Sequence, residues 1–126
     1  MHHRSESPAI YVCKYLLEES ARISIYDPKV PKAQIVNDLT DYDPSSRVAA
    51  SVDKLVSFAS DPYEAVAGAD ALIVCTEWDE FKTLDYEKVY EKMNKPAFVF
   101  DGRLILDGVA LKKIGFHVQT IGKTIM

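Results

Sequence analysis

The chain is sparing with the residue types that announce most functional sites. Its 126 residues include two cysteines, three histidines, one tryptophan and five glycines. Cys13 and Cys75 lie far apart, each in an apolar run, so there is neither a disulfide framework nor a C-x-x-C pair. That usage suits a reducing compartment and predicts a cytoplasmic protein. His2 and His3 sit at the terminus and His117 stands alone, which leaves no metal-ligand spacing, and no metal site is expected. No two of Gly68, Gly102, Gly108, Gly115 and Gly122 are spaced as G-x-G, so the dinucleotide fingerprint is missing, and so is the phosphate loop of the G-K-[ST] type. No stretch approaches the roughly 18 apolar residues of a membrane helix. Met1-His2-His3-Arg4 has no apolar run behind it, unlike a secretory signal. Basic residues do not predominate either: 15 Lys and Arg face 19 Asp and Glu, for a net charge of -4. Bulk charge therefore gives no support to nucleic-acid binding, though a local cationic pocket for a phosphate stays open.

What is present is an alternation of apolar runs and amphipathic segments. Hydrophobic residues make up 48% and charged residues 27%, the balance of a folded domain, and the length fits one domain over 1–126. Strands are predicted over 22–26, 71–75, 97–100 and 116–121, with a weaker one at 56–59. The second and third are continuously apolar, as strands buried on both faces of a parallel sheet are. Helices are predicted from their punctuation. Ser7-Pro8 opens one with Val12 and Leu16 a turn apart, and Ala9 and Cys13 on the same side. Lys32 to Leu39 forms a short second helix. Ser45 caps a third carrying Val48, Val52 and Leu55. Asp61-Pro62-Tyr63-Glu64 reads as a capping box with Gly68 as the stop. Asp85 caps a helix with Tyr86, Val89, Tyr90 and Met93 on one face, and Asp107 caps a last one that buries Leu111 and Ile114 and ends at Gly115. The segment 41–46 is an exposed loop. The pattern is α/β: a Rossmann-like, doubly wound, mostly parallel sheet. Because the chain opens on a helix, the sheet is expected to lack its first, central strand.

Open sheets of this kind bind ligands at the carboxyl ends of their strands. Three sets of residues are predicted there. Asp27, in Tyr26-Asp27-Pro28, serves either as a turn former or as a holder of ribose hydroxyls. Glu77 and Trp78, after the Cys75 strand, serve a crevice, a subunit contact or a loop anchor. Asp101-Gly102-Arg103 combines a glycine that permits close backbone approach with a planar fork of donors, suited to a phosphate or a uracil carbonyl; a surface salt bridge is the alternative. Cys13 and Cys75 read as packed rather than nucleophilic.

Taken together, Ser5-Glu6-Ser7-Pro8-Ala9-Ile10, Tyr26-Asp27-Pro28-Lys29-Val30, Ser60-Asp61-Pro62-Tyr63-Glu64-Ala65, Cys75-Thr76-Glu77-Trp78-Asp79-Glu80-Phe81 and Phe100-Asp101-Gly102-Arg103 resemble, in that order, the C-terminal domain of animal-type UDP-glucose 6-dehydrogenases. Gly115-Phe116 and Thr120-Ile121-Gly122 fit as well, so the resemblance runs along essentially the whole chain. It implies a family that oxidises UDP-glucose twice, to UDP-glucuronate, with NAD. In that family NAD is bound mainly by an N-terminal domain, which also carries the catalytic cysteine, and the C-terminal domain holds the UDP-sugar. Arg103 matches the family arginine that contacts the UDP-sugar, with Asp101 and Gly102 shaping its loop. A family arginine just before Glu-Ser-Pro reaches NAD; Ser5 holds that place here and Arg4 stands one position earlier. Neither Cys13 nor Cys75 matches the catalytic cysteine, and a Phe-Lys pair that contacts substrate would precede Met1. The resemblance thus implies an N-terminally truncated UDP-binding domain with no turnover of its own. Its partners would be UDP-glucose, the remainder of a dehydrogenase subunit and, at full length, a homo-oligomer. The other classes are a binding or assembly module without turnover, and a domain of a dehydrogenase acting on another nucleotide sugar.

Overall fold

A computed structural model describes residues 8–75, 79–102 and 106–120. Within the span expected to be one domain, the chain packs as two compact units, residues 1–61 and 62–126. Each is α/β and each carries a small, all-parallel sheet. That is the Rossmann-like class read from the alternation of strands and helices.

In the first unit, helix α1 (Pro8–Glu18) leads into β1 (Ile23–Ile25), then α2 (Lys32–Leu39), α3 (Arg47–Leu55) and β2 (Val56–Phe58). The two strands pair in parallel, Ile23 opposite Val56 and Ile25 opposite Phe58. Ile10, Leu17, Ile35, Leu39 and Val52 form the core. The face of α1 differs from the expected one. Ile10 and Leu17 are buried with Cys13 packed beside them, while Val12 and Leu16 are only half-buried. The helix has two adjoining apolar stripes, and the side chains of α2 and α3 decide which of them is covered. The cap of α3 is also shifted by one residue. The Asp43 carboxylate accepts both the backbone N–H and the hydroxyl of Ser45, at 3.0 and 2.7 Å, which engages Ser45 in the turn. Ser46 then caps the helix by accepting the Ala49 N–H at 3.1 Å.

In the second unit, α4 (Pro62–Val66), β3 (Ala71–Val74), a 3-10 turn (Asp79–Lys82), α5 (Tyr86–Lys92), β4 (Phe98–Asp101), α6 (Gly108–Ile114) and β5 (His117–Thr120) follow one another. The sheet order is β3-β4-β5, with Val74, Asp101 and Thr120 level at the carboxyl edge. Val66, Val89, Met93, Ala97, Val99, Leu111 and Phe116 form its core. Burying a side chain of this size stabilises the fold by about 1.5–3 kcal/mol. Two of the predicted caps hold: Asp85 accepts the Lys88 N–H at 3.2 Å and Asp107 accepts the Ala110 N–H at 3.1 Å. Gly115 ends α6 at φ 133°, where an added Cβ would stand 2.7 Å from the Tyr90 ring. β3 is not covered on both faces as its apolar run predicts. Ala71 is exposed and only Val74 is buried, because β3 is the edge strand of this sheet and, among the described residues, pairs only with β4.

Candidate functional site at the carboxyl edge of the second sheet

Strand β4 lies in the middle of its sheet, so the chain that leaves it emerges at the centre of the carboxyl edge, where α/β folds place ligands. Asp101 is the last residue of that strand and is 1% exposed. A carboxyl group that deep requires partners. Its Oδ2 accepts the backbone N–H of Leu106 at 2.8 Å, which holds Leu106 at the strand end. Gly102 presses against the neighbouring strand: its N–H donates to the Val74 carbonyl at 3.0 Å, and a Cβ there would stand 3.1 Å from the same oxygen. A side chain at this point would crowd that carbonyl, which favours glycine.

The chain that leaves β3 is tied down from the other side. Cys75 lies just beyond Val74, at the strand end, and its side chain is half-buried. After the 3-10 turn, the Asp85 N–H donates to the Tyr63 hydroxyl at 2.9 Å. The hydroxyl of Tyr86, at the start of α5, donates to the Phe81 carbonyl. Burial, the Asp101 carboxylate and Tyr63, in that order of weight, hold the Tyr86 phenol well above the ordinary tyrosine range. The Tyr86 hydroxyl serves here as a hydrogen-bond donor to the Phe81 carbonyl. Leu84, Tyr86, Leu106, Ala110 and Leu111 line a groove of about 560 Å³ beside these ties, with Lys82, Asp85 and Asp107 also on its walls.

Of the residues predicted from sequence, Asp101 and Gly102 meet at this edge. Arg103, Glu77, Trp78 and Arg4 lie outside the described residues. Asp27 is a turn former: its Oδ1 accepts the N–H groups of Lys29 and Val30 at 2.9 and 3.0 Å. Cys13 packs against the core of the first unit. His117 is exposed on β5 with its ring 5.2 Å from that of Phe98. The residues that sequence reading missed are Tyr86, as a donor, and Leu106, as the second end of the Asp101 tie. A signal for Tyr86 does exist. A long side chain at the first position of a capped helix reaches back over the turn that precedes it, and so towards Phe81.

The family model described as the UDP-glucose/GDP-mannose dehydrogenase family, UDP binding domain, matches residues 3–108. UDP-glucose 6-dehydrogenase of Mus musculus is 54% identical over 122 residues, covering 95% of this chain and 24% of that protein. The enzyme of Drosophila melanogaster is 54% identical over 118 residues, covering 94% of this chain and 25% of its own length. UDP-glucose 6-dehydrogenase 4 of Oryza sativa subsp. japonica is 51% identical over 128 residues, covering 94% and 26% respectively, so the likeness extends beyond animals. The chain spans about a quarter of the length of the curated relatives it matches. With the match covering the β4 edge and its Asp101 tie, the chain belongs to the UDP-binding domain family of the UDP-glucose/GDP-mannose dehydrogenases.

Proposed function

We propose that this chain holds the uridine diphosphate part of a nucleotide sugar at the carboxyl edge of β3-β4-β5, and that it does so as part of an NAD-dependent UDP-glucose 6-dehydrogenase making UDP-glucuronate. The observation that carries this reading is the tie between Asp101 and Leu106 at the end of the central strand, in a chain whose family binds UDP. Arg103 falls in sequence between the two residues of that tie. Arg103 is assigned the direct contact, its guanidinium donating to a phosphate or uracil oxygen; Gly102 admits the loop close to the sheet, and Asp101 holds its far end. Glu77 and Trp78 are assigned to the neighbouring crevice. Chemically, this is a grip on a non-reacting group. Its energy sets the position of a distant sugar carbon relative to the oxidising machinery, which is how remote contacts contribute to rate. Neither cysteine is assigned the nucleophile: Cys13 is a packed helix residue and Cys75 a half-buried strand-end residue. NAD is assigned to a separate glycine-rich domain, with Arg4 as this chain's sole candidate contact. The rest of the subunit and a homo-oligomer are the assigned partners, and the cytoplasm the assigned compartment.

Replacing a charge-assisted donor at such a contact costs about 1.5–3 kcal/mol. Arg103→Ala should therefore weaken UDP binding about tenfold to 150-fold by titration calorimetry. Unchanged affinity would remove Arg103 from the site.

A further inference from the structure

Helix α1 has an outer side unlike that of an ordinary surface helix. Within Pro8–Glu18 the charged residues are Lys14 and Glu18 alone. Ile10 and Leu17 are turned into the core of the first unit. The other side carries Tyr11 and Tyr15 one turn apart, 53% and 63% exposed, with half-buried Val12 and Leu16 alongside. A surface helix keeps its outer side polar, and one that is apolar over most of its circumference is normally covered. Exposed tyrosines on a rigid element are also the residue type that anchors protein interfaces.

The charges on this side say what would cover it. Lys14 is engaged by the Asp41 carboxylate at 2.8 Å. Glu18 and Glu19 close the helix and are exposed, and its last turn holds no basic residue. Neither glutamate forms an ion pair among the described residues. A carboxylate at that end faces the negative pole of the helix dipole and weakens its own helix. Two such acids beside two exposed rings are complementary to cations brought from outside, which can offset the acids and lie over the ring faces. A second copy would instead bring the same acids together on chains of net charge -4, and an anionic membrane or nucleic acid would be repelled. We infer that this side of α1 docks a basic amphipathic segment of the rest of the dehydrogenase subunit, with Tyr11 and Tyr15 as anchors and Glu18 and Glu19 as the charged rim. The chain spans about a quarter of its relatives' length, so a whole subunit has ample polypeptide to supply that segment. The inference rests on the reading of this chain as part of such a subunit, and not on where UDP is held.

The test is the reactivity of the tyrosine rings towards hydroxyl radicals, read by mass spectrometry. It is measured on the 126-residue chain alone and with each of two synthetic helical peptides. It is measured again in a whole subunit, with this chain in place of the quarter of the Mus musculus enzyme that it matches. The peptides share one leucine stripe and differ in their flanks, lysine in one and glutamate in the other. Tyr11 and Tyr15 should react in the chain alone, be shielded by the lysine-flanked peptide only, and be shielded in the whole subunit with no peptide added. Tyr15→Ser should weaken binding of the lysine-flanked peptide about twofold to fivefold, the size of one exposed contact between a cation and a ring. Glu18→Lys with Glu19→Lys should weaken it about twofold to thirtyfold, as the loss of two exposed charge contacts does, and should admit the glutamate-flanked peptide. That double change favours the helix dipole, so it reports on docking with the helix intact. Glu91→Lys, an exposed change in the second unit, should leave both peptides unaffected and so separates this face from the net charge of the chain. Shielding by both peptides or by neither would overturn the inference. So would shielding that grows with the concentration of the chain alone, which would give the face to a second copy. Rings as reactive in the whole subunit as in the isolated chain, in a subunit that still binds UDP, would overturn the inference and leave the nucleotide reading intact.

Discussion

Tyr86 leaves a mark on pH dependence. Its phenol is raised above the ordinary value of 10.0, first by burial and then by the Asp101 carboxylate. The sign follows from linkage. Below pH 10 the residue is protonated both folded and unfolded, so its contribution to stability is fully present. As the pH rises beyond that, the unfolded chain releases the proton while the folded chain keeps it, and stability falls until the folded phenol ionises too. Melting temperature measured between about pH 9 and 11.5 should therefore decline more steeply for the wild type than for Tyr86→Phe, a window set by the ordinary tyrosine pKa. Parallel curves would show that the phenol is not held protonated by the fold. At this scale the placement of residues was legible: Asp101 and Gly102 were expected at the end of an apolar strand and stand there, and Asp27 was weighed as a turn former because Asp before Pro accepts the N–H groups that follow it. The bond from Leu106 to Asp101 closes only when strand and helix are already placed, and no spacing rule in the sequence encodes it.

The elements were read best where one local interaction decides their ends. Asp85 and Asp107 stand at the start of α5 and α6 because a carboxylate there takes an N–H that the helix leaves unpaired. Gly115 ends α6 because the chain needs a positive φ at that point. Reading failed where two residues compete for one task. Ser45 and Ser46 are equally good caps by type, and the choice was made by the Asp43 carboxylate, which engages the first of them. The two apolar stripes of α1 posed the same difficulty, since packing partners from α2 and α3 selected Ile10 and Leu17. Caps also give a clean prediction. Asp107→Ala removes the acceptor of the Ala110 N–H and should destabilise the second unit by about 1 kcal/mol in denaturant titration. Asp107→Asn keeps an acceptor of the same reach and should stay within about 0.5 kcal/mol of the wild type, because Asn and Asp cap almost equally well. Equal losses in both variants would mean that the charge at position 107, and not the cap, carries the effect. Because α6 begins next to Leu106, the same pair of variants reports how far the loop after β4 depends on the helix that receives it.

For the whole molecule, the α/β class was legible from alternation alone, since continuous apolar runs separated by capped helices have few other outcomes. The division into units at Asp61 and Pro62 was not, because no linker-like composition marks it; the boundary falls inside the capping-box motif 61–64. A ligand that grips only the second unit makes this division measurable. UDP at about 100 times its dissociation constant should stabilise the state that binds it by about 2.7 kcal/mol. For a chain of this length that corresponds to a rise of about 10 °C in melting temperature, at roughly 3–5 °C per kcal/mol. Hydrogen exchange then locates the gain. The amides of β4 and α6, Val99 and Leu111 among them, should become more protected, since they carry the strand end and the helix on either side of the Asp101 to Leu106 tie. Amides of α2 and β1 should gain protection only to the extent that the two units unfold in one step. A melting temperature unmoved by UDP would refute the nucleotide grip. A gain confined to residues 8–61 would refute its location, because nothing in that unit could then be explained by a ligand held at the end of β4.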